Sequence, residues 1–414
     1  MGRYPKIKYV RQDLLKSLQP HPFGAFVRDG KIVTGFRSVN ERVPSVNGIV
    51  AMHTSAVGKG TLAGTENGAV YRGTGNNGES LSKIYSDGGN SPFIFETYEG
   101  DWCAVLMSGK TYTAIQNGAL VHGWISYELS CGTMRRGRLF AADARNSYIL
   151  RWSGPKGFND WALGISGSGY LNLEPSGGSI LDIFDFEDRL VVFRERSIMR
   201  FSVYGTPENF KEEDTAVTPD IYRRTAKIIG DSILFFTSGG LMSYRGGRVT
   251  KIDGLITEDL QAPTSAYVHA GRYYFICGTS KSLKRPVVFV YDSLFGGYQV
   301  IDIPAYFISA DNTSVLGYAP STIYRLYFGY EYILYEVSTA GFDFGTDRRK
   351  LITELEIDCD EDIRVRITNG KTSKTLRSVK GRTRLNMRGA EFEVTFSGYG
   401  GSVRSAYLTA EVIE

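Results

Sequence analysis

The 414-residue sequence is short of the residues that usually announce chemistry. It has four cysteines, Cys103, Cys131, Cys277 and Cys359, spaced far apart and with no CxxC. That excludes a zinc ribbon and argues against a disulfide framework, so buried free thiols in a reducing interior are expected. The four histidines, His21, His53, His122 and His269, have no ligand spacing, and no metal or cofactor is expected. No apolar run approaches a membrane span, and MGRYPKIKYV carries no apolar core of a signal peptide. A soluble chain with no membrane insertion, made in a cytoplasm, is the resulting expectation. The net charge of +4 is small for this length and does not mark a nucleic-acid binder.

Short catalytic signatures are also missing. In AVGKGT, His53 stands where a Walker loop needs its first Gly, and Gly60 follows Lys59 where Ser or Thr is required. GISGSGY, residues 164–170, is neither a dinucleotide fingerprint nor a nucleophile elbow and reads as an inter-strand loop. Ser86-Asp87-Gly88-Gly89 occurs once and lacks the aromatic that would close an Asp-box, leaving an ordinary turn. Asp358, Asp360, Glu361 and Asp362 lack the glycine-bearing pattern of an EF-hand and read as a solvated strand end. A chain that is not an enzyme is the expectation.

What is present is glycine (48) with tyrosine and phenylalanine (26 and 23), a mixture that favours short strands and tight turns. One helical pattern stands out, YVRQDLLKSL, with Val10, Leu14, Leu15 and Leu18 on one face and Pro20 and Pro22 ending it. Elsewhere apolar runs are broken by turn residues in hairpin fashion. Seven such anchors begin at Leu62, Cys103, Leu139, Leu190, Ile233, Tyr273 and Leu326, at offsets of 41, 36, 51, 43, 40 and 53 residues.

That period is close to one four-stranded propeller blade, so an all-β, propeller-like array of about seven blades is expected, with a stack of β-sandwiches as the alternative. The domains are read as an N-terminal arm with a short helix and first strands (1–45), a propeller (46–340) and a small C-terminal antiparallel β-unit (341–414). In the last, Leu355, Ile357 and Cys359 alternate with acids.

Two stretches are candidate sites. RWSGPKGFNDWALG brackets Pro155 and Phe158 between Trp152 and Trp161. It is either an aromatic platform for a ligand or, the reading favoured by its place between two hairpins, a clasp between blades. In the tail, Arg364, Arg366, Lys371, Lys374, Arg377, Lys380, Arg382, Arg384 and Arg388 run with no intervening acid. That is the pattern of a phosphate-facing stripe, of a solvated face, or of a surface that docks on an acidic neighbour.

The stretch RLFAADARNSYILRWSGPKGFNDW, followed by GGSILDIFDFEDRLVVFRERSIMRFSVYGTPENF, resembles the β-propeller hub and nozzle proteins in the tails of short-tailed bacteriophages. The resemblance rests on Trp152, Ser153, Pro155 and Trp161, then Ile183 to Phe201, then Tyr204, Gly205 and Pro207. It is good over roughly residues 135 to 210 and one of texture over 225 to 414. It implies a virion structural protein forming part of the DNA ejection conduit. Its partners would be other copies of itself in a ring, usually a homohexamer, a portal or its adaptor, and other tail proteins. Double-stranded DNA would pass without sequence-specific binding. The other classes open to this sequence are a glycan-binding or glycan-degrading propeller and an intracellular interaction propeller.

Overall fold

The computed structural model describes residues 8–18, 25–28, 31–41, 46–55, 60–74, 81–86, 91–97, 103–116, 119–162, 167–252, 259–310, 314–328, 334–399 and 401–413. His21, most of the AVGKGT and Ser86–Gly89 stretches, and residues 164–166 of GISGSGY lie outside them. The chain divides into two compact units, one of residues 39–288 and 303–326, the other of residues 1–38, 289–302 and 327–414.

The larger unit is a β-propeller. Its first blade is β5 (Ile49–Ser55), β6 (Gly60–Thr65), β7 (Ala69–Thr74) and β8 (Leu81–Ser86), after β1 (Tyr9–Asp13), β2 (Ala25–Arg28), β3 (Lys31–Thr34) and β4 (Phe36–Glu41) earlier in the chain. A six-stranded sheet follows: β9 (Phe93–Thr97), β10 (Cys103–Gln116), β11 (Ala119–Arg135), β12 (Arg138–Asp143), β13 (Ile149–Trp152) and β14 (Gly169–Asn172). Next come β15 (Ile180–Phe186) to β18 (Lys211–Val217), with β16 (Arg189–Arg194) and β17 (Ser197–Ser202) between them. Then come β19 (Lys227–Ile229), β20 (Ser232–Thr237), β21 (Gly240–Arg245) and β22 (Arg248–Lys251). The hairpin of β23 (Leu260–His269) and β24 (Tyr273–Ser280) precedes β25 (Arg285–Asp292) and β26 (Gly297–Ile301). The last sheet of this unit contains β27 (Phe307–Ala310), β28 (Val315–Ala319) and β29 (Thr322–Phe328).

The six-stranded sheet is two blades fused through one strand. The first part of β11 pairs with β10 up to Leu129, and its last residues, from Leu129 to Arg135, pair with β12. The register breaks between Leu129 and Cys131, where a bulge bends the strand out of one sheet and into the next. Counted this way, the innermost strands are β5, β9, the end of β11, β15, β19, β23 and β27, and all seven line one central cavity. Strands such as β6 and β12 are buried at every residue, because a blade strand is covered on both faces by neighbouring blades.

The seventh hairpin anchor is displaced. The run beginning at Leu326 does not fold back on itself: β29 pairs with β28, whereas β30 (Leu334–Ser338) pairs with β35 (Glu393–Tyr399). The hairpin of that blade lies one strand earlier, at Val315–Phe328, turning through the Ala319↔Thr322 pair.

The smaller unit holds two sheets around a core that includes Leu14, Ile352, Leu355, Ile367, Phe396 and Leu408. In one, β31 (Lys350–Cys359) lies between β34 (Gly381–Gly389) and β36 (Ser402–Val412). In the other, the order is β30, β35, β32 (Ile363–Thr368) and β33 (Ser373–Val379). Along β31 the side chains of Leu355, Ile357 and Cys359 are buried, as the alternation requires. The expected N-terminal helix is instead β1, paired with β36 from Tyr9↔Glu411 to Asp13↔Tyr407, followed by a single 3-10 turn at Leu14–Ser17. Ten residues are too few to hold an α-helix without tertiary help. The free edge of β36 offers five backbone pairings, and Asp13 ends the strand by accepting from the Leu15 N–H at 3.2 Å.

Candidate functional site

The tryptophan loop is a clasp. Trp152, Phe158 and Trp161 are 9%, 9% and 7% exposed, so neither indole presents a face to solvent, and only Pro155 of the named residues is exposed. Trp152 packs with Phe140 and Phe210 in a core shared with Ile183, Leu190 and Val192 of the following blade. Phe158 and Trp161 pack on the other side, with Phe95, Tyr112 and Tyr127 of the preceding one. The backbone of the loop is tied down as well. The Ser153 N–H donates to Leu139 O at 2.9 Å, Arg138 donates to Ser153 O at 2.8 Å, and Trp161 Nε1 donates to Phe158 O at 2.8 Å. Gly137, at φ +74°, lets the β11–β12 turn approach this loop, since a Cβ there would stand 2.8 Å from the Pro155 carbonyl oxygen.

The second half of the resemblance, the FEDRLVV hairpin and its Tyr-Gly-x-Pro step, is also a junction. Arg135, 4% exposed, reaches from the end of β11 to Asp185 and to Asp188 (2.9 Å) in the β15–β16 turn. The Tyr204 hydroxyl donates to the same Asp188 carboxylate, and Arg136 lies 4.1 Å over the Tyr204 ring. Those donors, Tyr204 first and then Arg135 and Arg136, hold the Asp188 carboxyl well below the usual carboxylate range.

The basic run of the tail is divided between two sheets. Arg364 and Arg366 are exposed on β32, and Lys374, half-buried, and Arg377, exposed, are on the neighbouring β33, with Lys371 in the turn between. Arg382 and Arg384 belong to β34, in the other sheet, opposite Glu356 and Glu354, and Arg382 lies 3.4 Å from the Glu356 carboxylate. Lys380 donates to the Asp360 carbonyl at 2.8 Å. Acids remote in sequence therefore interrupt what is unbroken along the chain. The suspected calcium cluster is likewise occupied by protein: Asp358 and Asp360 pair with Arg404, and Ser378 donates to Asp362 at 2.9 Å. No group of three or more His, Cys, Asp or Glu residues that could hold a metal occurs among the described residues.

The central cavity is the site that sequence motifs did not reveal. It measures about 200 Å³, and its charged lining is Asp182 on β15 with Arg223, Arg224 and Lys227 at the start of the next blade. Arg224 has φ +63°, a left-handed conformation costly for a branched-chain-free but bulky side chain, and its guanidinium meets Glu66 of the first blade at 3.0 Å. Burial raises the Asp182 carboxyl pKa, opposed by Lys227, by the Ile183 N–H (3.0 Å) and by Arg223. Burial also pushes the Cys131 thiol on this wall up to about 12. Three serines, Ser130, Ser265 and Ser309, and apolar residues such as Val50, Met52 and Ile308 complete a mixed polar and apolar lining.

A second feature is the far half of β11. Among the described residues its other edge has no strand partner from Ala119 to Tyr127, because the pairing on that side starts with the Ala144 N–H donating to the Glu128 carbonyl and continues with β12 from Leu129. Ile115 and Leu120 pack in one hydrophobic core and Ile125 in another, whereas Trp124, 70% exposed, and Val121, 38% exposed, stand in solvent.

No family model matches the chain, and no curated protein matches it in sequence. Solved structures do. A streptogramin B lyase aligns with a TM-score of 0.53 at 10% identity, over 71% of this chain and 98% of the lyase. Virginiamycin B lyase from Staphylococcus aureus aligns with a TM-score of 0.51 at 12% identity, over 70% and 99%. Raptor from Chaetomium thermophilum aligns with a TM-score of 0.53 at 10% identity, over 71% of this chain but 29% of its own length.

The chain is a β-propeller. At these identities the likeness shows the fold, and it decides between the propeller and the stacked sandwiches left open by the sequence. It also corrects the expectation of a chain that is not an enzyme, because two of these similar structures are lyases. The physical reason is that a propeller assembles a site from loops of several blades around its axis, so a lack of linear motifs excludes nothing.

Proposed function

We propose that this propeller is a structural subunit of a bacteriophage tail, built into the virion as a ring of copies between a portal or adaptor and further tail proteins. The observation that carries the reading is the open β11 edge with Trp124 standing in solvent. An unpaired strand edge bearing an indole is a ready-made template for pairing with another chain, and tryptophan is the residue most enriched where interfaces concentrate their energy. The resemblance over residues 135 to 210 supplies the identity of the assembly. The positions that carry it lock one blade to the next in this chain, as a rigid ring subunit requires.

The duplex would pass between subunits and not along a propeller axis. The cavity at that axis holds about 200 Å³, room for a small molecule and not for a duplex. Electron microscopy and native mass of the purified chain, with mass spectrometry of phage particles, test the proposal. A closed ring and presence in particles are expected. A chain that stays monomeric at all concentrations and is missing from particles would overturn it.

A further inference from the structure

We propose that the central cavity of the propeller is a binding site for a small molecule that carries a phosphate or carboxylate group. Four observations within this unit converge on it.

First, the cavity gathers cations. Arg224 is matched by Glu66. The side chains of Arg223 and Lys227 make no close ion pair with a described residue and share a single carboxylate of the lining, Asp182, which both stabilise electrostatically. Guanidinium and ammonium groups that outnumber the carboxylates of a cavity are standard equipment for an oxyanion. Second, Ser130, Ser265 and Ser309 come from three different blades and supply hydroxyl donors around the same space.

Third, the backbone that presents the cations is constrained. Arg224 is held at positive φ, its carbonyl accepts from the Ala266 N–H at 3.1 Å, and the Tyr274 hydroxyl donates to the Thr225 carbonyl at 2.6 Å. A strained segment locked by two bonds to the neighbouring blade is pre-organised, which limits the ordering cost of binding. Fourth, the lining also includes Val50, Met52, Pro92 and Ile308, so the body attached to the anionic group is a compact apolar one.

The test is calorimetric titration of the full chain with sodium phosphate, phenyl phosphate and sodium benzoate, against sodium chloride at equal ionic strength. Saturable binding at one molecule per chain is expected for phenyl phosphate or benzoate, and the arm that binds tightest identifies the anionic group. Arg223→Ala should weaken that binding about tenfold or more, the loss expected for one charge-assisted hydrogen bond. Arg364→Ala, on the other unit, should leave it unchanged. If Arg223→Ala does not fold, judged by circular dichroism, Lys227→Gln carries the same expectation. The proposal fails if no salt gives more heat than chloride, if binding does not saturate, or if Arg364→Ala weakens it as much as the cavity variant.

Discussion

Trp152 and Trp161 stand nine residues apart and enter different hydrophobic cores on opposite sides of one blade. β12 between them alternates in the same way: Phe140 faces the core of Trp152, and Leu139 and Ala141 face that of Trp161. The Gly-Pro loop carries the chain over the end of the blade, so a single short segment staples three consecutive blades.

Truncation of either indole should therefore damage stability. Trp161→Ala and Trp152→Ala should each cost about 3–5 kcal/mol, the range for emptying an aromatic site in a packed core. Denaturant unfolding measures this, and a loss below about 1 kcal/mol for either would show that the site is not a packed junction.

The two positions should part company when replaced by phenylalanine. Trp161 Nε1 donates to Phe158 O at 2.8 Å, whereas Trp152 Nε1 is buried with no partner among the described residues. Trp161→Phe gives up a hydrogen bond, roughly 1 kcal/mol, and Trp152→Phe removes a donor that gains nothing. The midpoint of unfolding should fall more for Trp161→Phe.

Acid should loosen the junction of Arg135 with the β15–β16 turn. The Asp188 carboxyl is held low in the fold by Tyr204, Arg135 and Arg136. A carboxylate whose folded pKa is depressed contributes its full stabilisation above the unfolded value of about 3.9, and loses it as pH falls toward the folded one. Asp188→Asn should lower the melting temperature at neutral pH and flatten its decline below about pH 4. An unchanged acid limb would show that the network contributes nothing.

Removal of the exposed indole should separate assembly from folding. Trp124 is 70% exposed, so Trp124→Ser should leave the melting temperature of the isolated chain nearly unchanged. Sedimentation velocity should show the loss of the ring, and a variant that assembles normally would place the contact elsewhere.

Thiol chemistry should be silent in the folded chain. Cys131, Cys277 and Cys359 are buried, and burial raises all three thiols above their ordinary value. In a Cys103→Ser background, an Ellman titration at pH 8 should register no thiol until denaturant is added. Prompt reaction of one thiol would place Cys131, on the cavity wall, within reach of solutes.

Hairpin rhythm, turn residues and the alternation in β31 were legible in the sequence, because they depend on contacts between residues a few positions apart. The same local reading took Tyr9–Asp13 for part of a helix and put a hairpin at Leu326. Pairing with β36 and the division of β29 and β30 between sheets are long-range choices that local spacing does not encode. The burial of Trp152 and Trp161 followed from their place between hairpins, but which core each enters depends on which way successive side chains point from a twisted blade. Arg223, Arg224 and Lys227 form no motif in the sequence. Only closure of the propeller brings them to one cavity with Asp182 and sets Arg224 beside Glu66 of the first blade. The sequence alone determined that this chain builds many short antiparallel strands with buried aromatic turns. The tertiary structure decided that β11 serves two blades, that seven strands share one axis, and that a cavity and an open edge remain, because each depends on where a strand bends between sheets and on how the blades close, which local spacing does not encode.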